Sequence, residues 1–160
     1  MNRGTIATIV MVLLGISMAG YAWWHQTQRG KRIHAFWGTQ TAQLIRHAPQ
    51  VDVLWLSQKD GAGLPQLAVD GQSFAVRRTV NATLVPGLVH ARHALILDFN
   101  YQWEKATDPS MGQWTHAIRF TADDQASTLL LNADHTQVRV LDGPAIHIQE
   151  KIQEALLEFI

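Results

Sequence analysis

Eight histidines, at positions 25, 34, 47, 90, 93, 116, 135 and 147, are the side chains of this 160-residue sequence best suited to chemistry. Imidazole is the side chain whose ordinary charge change falls near neutral pH, and its nitrogens can hold a metal ion. His90 and His93 stand at i and i+3, which on a helix puts both imidazoles on one side. A metal site there lacks a third ligand, and Arg92 between them opposes a cation. His147, Glu150 and Glu154 also share a helical spacing, but no other segment supplies a partner, so they read as a solvated face. Nucleophilic catalysis has no better footing. Ser57, Ser73, Ser110 and Ser127 lack the Gly-x-Ser-x-Gly elbow. Gly61 and Gly63 are followed by Leu64 and Pro65, where a phosphate loop needs Lys and a hydroxyl residue. With no cysteine, disulfides, thiolate zinc sites and thiol catalysis are excluded. Asn81, Ala82 and Thr83 match a glycosylation acceptor in form only. The sequence thus predicts no catalytic residue, no cofactor and no metal.

Such side chains act only where other elements place them, and the strongest placing element is at the amino terminus. Thr5 to Trp24 carries no charge and is as long as the roughly 20 residues a lipid-spanning helix requires. Ile6, Ile9, Val10, Val12, Leu13, Leu14 and Ile16 supply its apolar mass, and Tyr21, Trp23 and Trp24 end it with rings suited to the head-group layer. The run exceeds the 7–15 residues, approximately, of a signal-peptide core, which favours a retained single-pass signal anchor over cleavage after Ala22. Gly15 and Ala19 are small enough to seat a second helix. The expected organisation is a leader at 1–4, a transmembrane helix at 5–24, a basic juxtamembrane connector at 25–38 and a globular domain at 39–160. Tyr21, Trp23, Trp24, Arg29, Lys31, Arg32 and Trp37 are the expected contacts with membrane or partner, Trp37 foremost. Basic residues behind the span outnumber those before it, so the positive-inside rule leans toward a cytoplasmic domain, on the inner membrane of a bacterium, while the four-residue leader with Arg3 matches a signal anchor that sends the domain outward.

Charge divides the chain in the same place. Residues 1–50 hold Arg3, Arg29, Lys31, Arg32 and Arg46 and no acid, a balance of +5, which leaves eight bases against thirteen acids, or −5, for the remainder. A basic segment beside a bilayer is drawn to anionic head groups. The acidic remainder offers no stripe of cations for phosphates, which excludes nucleic acid as a partner.

The domain reads as α+β, antiparallel strands with two or three packed helices. Thr39 to His47 reads as a helix with Thr39 as N-cap, and Val51 to Leu56 as a strand by its alternation. Asp70 and Gly71 between Leu67–Val69 and Ser73–Val80 signal a hairpin, since both tolerate positive φ. From Pro86 two periodicities compete. Leu88, Arg92, Leu95, Ile96 and Phe99 keep helical spacing behind Pro86, which a first turn accepts, while Leu95, Leu97, Phe99, Tyr101 and Trp103 alternate as in a strand. The reading adopted is a helix to about Leu97, then an extended aromatic piece. Trp114–Thr121, Ser127–Leu131 and Gln137–Leu141 form a meander. Gly143 and Pro144 open a final helix with Ala145, Ile148, Ile152, Leu156 and Phe159 as its apolar stripe. Each half has the order of three strands and a helix, without a residue-level repeat to mark duplication.

Phe36–Gly38, Leu44–Pro49, Pro86–Leu95 and Trp114–Phe120 together resemble an uncharacterised group of small bacterial proteins with one N-terminal membrane span. The segment Gly87–Arg92 leading to Trp103, and Trp114–Ala117 opening the meander, carry the similarity. It implies an anchored α+β domain and brings no activity with it. The expected function is a membrane-anchored, non-catalytic domain acting through protein contacts, as an accessory or assembly subunit of a membrane complex. Its partners are the lipid bilayer and an integral membrane protein. The alternatives are a small histidine-dependent hydrolase or metal enzyme using His90, His93 or His116, and a module binding lipid or an envelope ligand through Trp37 and the basic connector.

Overall fold

The computed structural model describes residues 3–28, 31–58, 63–105 and 113–159, with the side chains at 3, 5–8, 25–28, 154, 155 and 157–159 outside the description. Seven strands make one antiparallel sheet: β1 (Gln50–Ser57), β2 (Gln66–Val69), β3 (Gln72–Asn81), β4 (Trp114–Ala122), β5 (Gln125–Asn132), β6 (Gln137–Val140) and β7 (Ala145–His147). Their order across the sheet is β2-β3-β1-β4-β5-β6-β7. Around it stand α1 (Arg3–Gln28), α2 (Lys31–Trp37), α3 (Thr39–His47), α4 (Leu88–Leu95), a 3-10 turn (Asp98–Asn100) and α5 (Glu150–Phe159). The expected α+β class is the one observed. In the first half β1 pairs with β3, whereas in the second β4 pairs with β5 and β5 with β6, so the two runs of strands are connected differently and do not repeat each other.

Both sheet faces are buried, by different means. On one face Val51, Val53, Ile118, Phe120, Leu129 and Val138 meet Ile33 and Trp37 of α2, Ala42 and Ile45 of α3, Leu95 of α4 and Leu156 of α5. Among the described residues no helix contributes to the core of the other face. There Leu54, Leu56, Leu67, Val69, Phe74, Trp114 and Leu130 pack on one another because the sheet curls over itself. Register shifts at Trp55/Leu56 and Trp114/His116 assist the curl, since an extra residue bends a strand and raises its twist. The second shift also puts Trp114 and Ala117 on the same face, which strict alternation would forbid. Closure is sealed by Asp70, at the tip of the β2–β3 hairpin, reaching Arg139 on β6. The guanidinium donates from Nη1 at 2.5 Å and from Nη2 at 3.1 Å to the two carboxylate oxygens. Arg139 is buried and also lies 5.6 Å from the Trp114 ring centre. The hairpin tip is the expected one, with Asp70 at φ 49° and Gly71 at φ 78°.

Several boundaries differ from expectation for identifiable reasons. α3 has the expected range, but Gly38 rather than Thr39 occupies its N-cap, at φ 77°, because a single residue must turn the chain from α2 into α3. Gly87 at φ 92° caps α4, so Pro86 precedes the helix instead of standing in its first turn. After Leu95 the chain forms the 3-10 turn and then one bridge, Tyr101 to Ile148, where an extended aromatic segment was expected. Ala145–His147, expected to start the last helix, instead pairs with β6 as β7, and the helix begins at Glu150. Phe159, expected on that helix's stripe, has its side chain outside the described residues. Residues Lys31–Trp37, assigned to a connector, form α2 and bury Ile33 and Trp37.

Among the described residues no helix is long and apolar enough to cross a membrane. α1 is 26 residues long, but its uninterrupted described side chains run only from Ile9 to Trp24. That is shorter than the roughly 20 apolar residues a crossing takes. The expected transmembrane helix is therefore not supported by the described residues themselves.

Candidate functional site

The expected contact residues divide into two environments. At the end of α1, Tyr21, Trp23 and Trp24 are exposed, with the Tyr21 and Trp24 rings 6.2 Å apart. They cap a helix whose described large apolar side chains are all exposed, from 45 % at Ile9 to 74 % at Met11. Arg29 lies outside the described residues. Lys31 and Arg32 are exposed at the start of α2.

Trp37 is the correction. Expected to touch a membrane or a partner, it is 4 % exposed and sits in the helix-covered core. Its indole nitrogen donates to the Leu95 carbonyl at 2.9 Å, and the Tyr101 hydroxyl donates to that same oxygen at 2.8 Å. A buried indole must find such an acceptor or lose its hydrogen bond to water. Phe36, Trp37, Tyr101 and Trp103 meet edge to face at centroid separations of 4.8 to 6.0 Å. Burial pushes the Tyr101 hydroxyl far above the usual phenol range, so it remains a proton donor.

The same cluster fixes the chain beyond α1. The Asp98 carboxylate accepts the Ile33 amide at 2.7 Å and the Arg32 amide at 3.3 Å, and the Asp98 carbonyl accepts the Trp103 indole at 2.7 Å. Phe99, next in sequence, is 66 % exposed. Two residues further on, Tyr101 joins Arg32, Trp103, Glu104, Lys105 and Gln149 among the walls of a cleft of about 520 Å³. No short motif marked Phe99 or Lys105 in the sequence. Their only signal was an aromatic residue and a base flanking a segment whose periodicity was ambiguous.

A second concavity, of about 630 Å³, lies between the C-terminal end of α3 and α4. Leu88, Val89, Ile96 and Leu97 give it apolar walls, and Arg46, His47, His90 and His93 stand around them. Arg92 crosses this region to donate to the carbonyls of Arg46 at 3.0 Å and Ala48 at 2.6 Å, satisfying the last carbonyls of α3. Val89 is 76 % exposed and Leu84, just ahead of α4, 93 %. His90 and His93 thus line one groove, as their spacing predicted.

His116 belongs to a different set. Arg78, Trp55 and His116 are register partners on β3, β1 and β4, with the Arg78 guanidinium 4.9 Å from the Trp55 ring centre and His116 5.8 Å from it. His135, from the β5–β6 turn, lies 5.0 Å beyond His116. Thr115 Oγ1 is 3.0 Å from His116 Nδ1, while both His135 nitrogens are buried without a hydrogen-bond partner. Burial lowers the pKa of both rings, and each imidazole is a poor neighbour for a charged one. His147, placed on a helix by expectation, is in β7, so it does not share a helix face with Glu150. Among the described residues no three His, Cys, Asp or Glu side chains are arranged to hold a metal ion. Asn81–Ala82–Thr83 forms a closed turn: the Thr83 amide donates to Asn81 Oδ1 at 3.1 Å and Thr83 Oγ1 accepts the Val51 amide at 3.0 Å.

No family model matches this chain, and no curated protein and no solved structure is similar to it.

Proposed function

We propose that this chain is a membrane-anchored, non-catalytic domain that acts through protein contacts, as an accessory or assembly subunit of a membrane complex. The observation that carries the reading is the uncovered state of α1. A large continuous apolar surface is rare on a free soluble protein and marks contact with lipid or another protein. Counted from the sequence, the uncharged stretch extends back from Ile9 to Thr5 and reaches 20 residues. Those 20 residues as a helix rise about 30 Å, the thickness of the hydrocarbon they would have to cross. The rings of Tyr21, Trp23 and Trp24 then fall at one end, where amphipathic aromatics favour the head-group layer. For the protein contact, the groove between α3 and α4 supplies apolar walls and a basic rim, which suits an acidic partner with apolar anchors.

Alkaline carbonate extraction of native membranes tests the anchor. The full chain stays with lipid, and Val12→Lys with Leu14→Lys releases it, since a lysine at a helix centre costs roughly 2.5–3.5 kcal/mol on insertion. Release of the unaltered chain would refute the anchor. A photo-crosslinker in place of Val89 then tests the contact: one discrete adduct with an integral membrane protein is expected, and uncrosslinked monomer in repeated trials would refute it.

A further inference from the structure

The attachment of the domain to α1 is short and its first helix is docked, so one end of the domain is fixed next to the end of α1. Only residues 29 and 30 separate Gln28 from Lys31, and at 3.8 Å per step the two helix ends are at most about 11 Å apart. α2 cannot swing away from the domain, because Ile33 and Trp37 are in the core and Asp98 holds the Arg32 and Ile33 amides. The surface around Asp98 therefore travels with the end of α1.

That surface differs from the rest of the domain in charge and in apolarity. Residues 51–160 carry a balance of −5, yet here Arg32 and Lys105 line the cleft and Lys31 adjoins Arg32, three cations against the two acids Asp98 and Glu104. Phe99 stands out of it with two thirds of its surface exposed, although Tyr101 and Trp103 beside it are tied inward by hydrogen bonds. An exposed ring next in sequence to the Asp98 that holds the Arg32 amide, on a surface where cations outnumber acids, suits anionic head groups, with the ring entering the interface and the cations staying at the phosphates.

We propose that this end of the domain, centred on Phe99 and framed by Lys31, Arg32 and Lys105, lies flat against anionic lipid. The proposal rests on the anchor reading of α1 and gives the domain a fixed orientation on the bilayer. Asp123 and Asp124, in the turn at the far end of β4 and β5 from Asn132, then point away from the membrane.

The chain has no cysteine, so Phe99→Cys in the full-length protein takes a single environment-sensitive dye. The labelled chain is reconstituted in phosphatidylcholine vesicles with and without about one third phosphatidylglycerol. A blue shift and protection from an aqueous quencher are expected only with the anionic lipid, and neither at Asp124→Cys. Lys31→Gln and Arg32→Gln should each weaken the contact about fivefold, the equivalent of roughly 1 kcal/mol per cation. A carbonate wash of the same vesicles reads the anchor separately. Retention with a dye that stays aqueous overturns the orientation while leaving the anchor intact, and release into the wash overturns both. Equal shielding at positions 99 and 124 also overturns it. Shielding at 99 in native membranes but not in pure lipid overturns it in favour of a protein at this face.

Discussion

The two faces of the sheet reach similar burial through opposite constructions. One is roofed by four helices, so its strand residues share a core with side chains from several elements. The other is roofed by the sheet itself, with Phe74 and Leu130 buried on the inside of a curl that Asp70 and Arg139 hold shut. The roofed face depends on many apolar contacts spread along the chain. The curled face depends on a hairpin and one ion pair between strands that stand first and sixth in the sheet order. A local fault should therefore be absorbed on the first face and spread on the second.

Core truncation is the strongest way to break that contrast. Phe74→Ala on the curled face and Leu129→Ala on the roofed face should cost about 3–5 and 2–5 kcal/mol respectively. Hydrogen exchange after Phe74→Ala should show β2 and β3 losing protection before β5. Uniform loss across all strands would mean that the curl is not a separate unit.

The ion pair is the next lever. Asp70→Asn keeps a residue that accepts φ 49° in the turn but leaves the Arg139 guanidinium buried without its counter-charge. Breaking a fully buried pair costs about 3–5 kcal/mol, and Asp70 is half exposed, so a loss of about 1–3 kcal/mol is expected in denaturant titration. Arg139→Met in the Asp70→Asn background should restore part of it. Arg139 holds the Asp70 carboxyl below the usual carboxylate range, chiefly through their hydrogen bond. The contribution is thus complete above the unfolded carboxylate pKa of about 3.9 and is lost as pH falls through the native value. Asp70→Asn should flatten that acid limb.

On the roofed face a single polar tie can be removed. Trp37→Phe takes the indole donor from the Leu95 carbonyl, which keeps the Tyr101 hydroxyl as a second donor. A loss of about 1 kcal/mol is expected, the net worth of one hydrogen bond, and a much larger loss would show that the indole volume matters more.

The smallest effect is in the row Arg78, Trp55, His116, His135. Burial keeps the native pKa of both histidines below the unfolded value of about 6.5, so the unfolded chain binds protons first as pH falls. Stability should decline on acidification below about 6.5, with Asp134 moderating the change at His135. His135→Asn, which suits the native φ of 51°, should reduce the slope between pH 7 and 5. An unchanged slope would assign it to other groups.

What could be read beforehand was whatever short segments decide for themselves. Asp70–Gly71 encodes its turn because both residues accept positive φ, and Thr39–His47 encodes a helix because Ala42 and Ile45 share a face within two turns. Trp37 was not legible, since its acceptor is 58 residues away at Leu95 and nothing near Gly38 announces it. Ala145 was misread because an apolar residue at that position fits a helical stripe as well as a strand, and pairing with Arg139 settles the matter from outside the segment. Trp114 escaped the alternation because the shifted register turns it to the opposite face. Phe99 and Lys105 carried no local signal because the Asp98 bonds are what bring their segment to the start of α2.

The outermost strands are four and three residues long, and prolines at 65 and 144 stand immediately before them. One donor is missing at the entrance to each short edge, and the Gln102 amide already occupies the His147 carbonyl, so little ladder is left on which an added strand could grow. Molecules crowded side by side can thus meet repeatedly at these margins without templating a fibre.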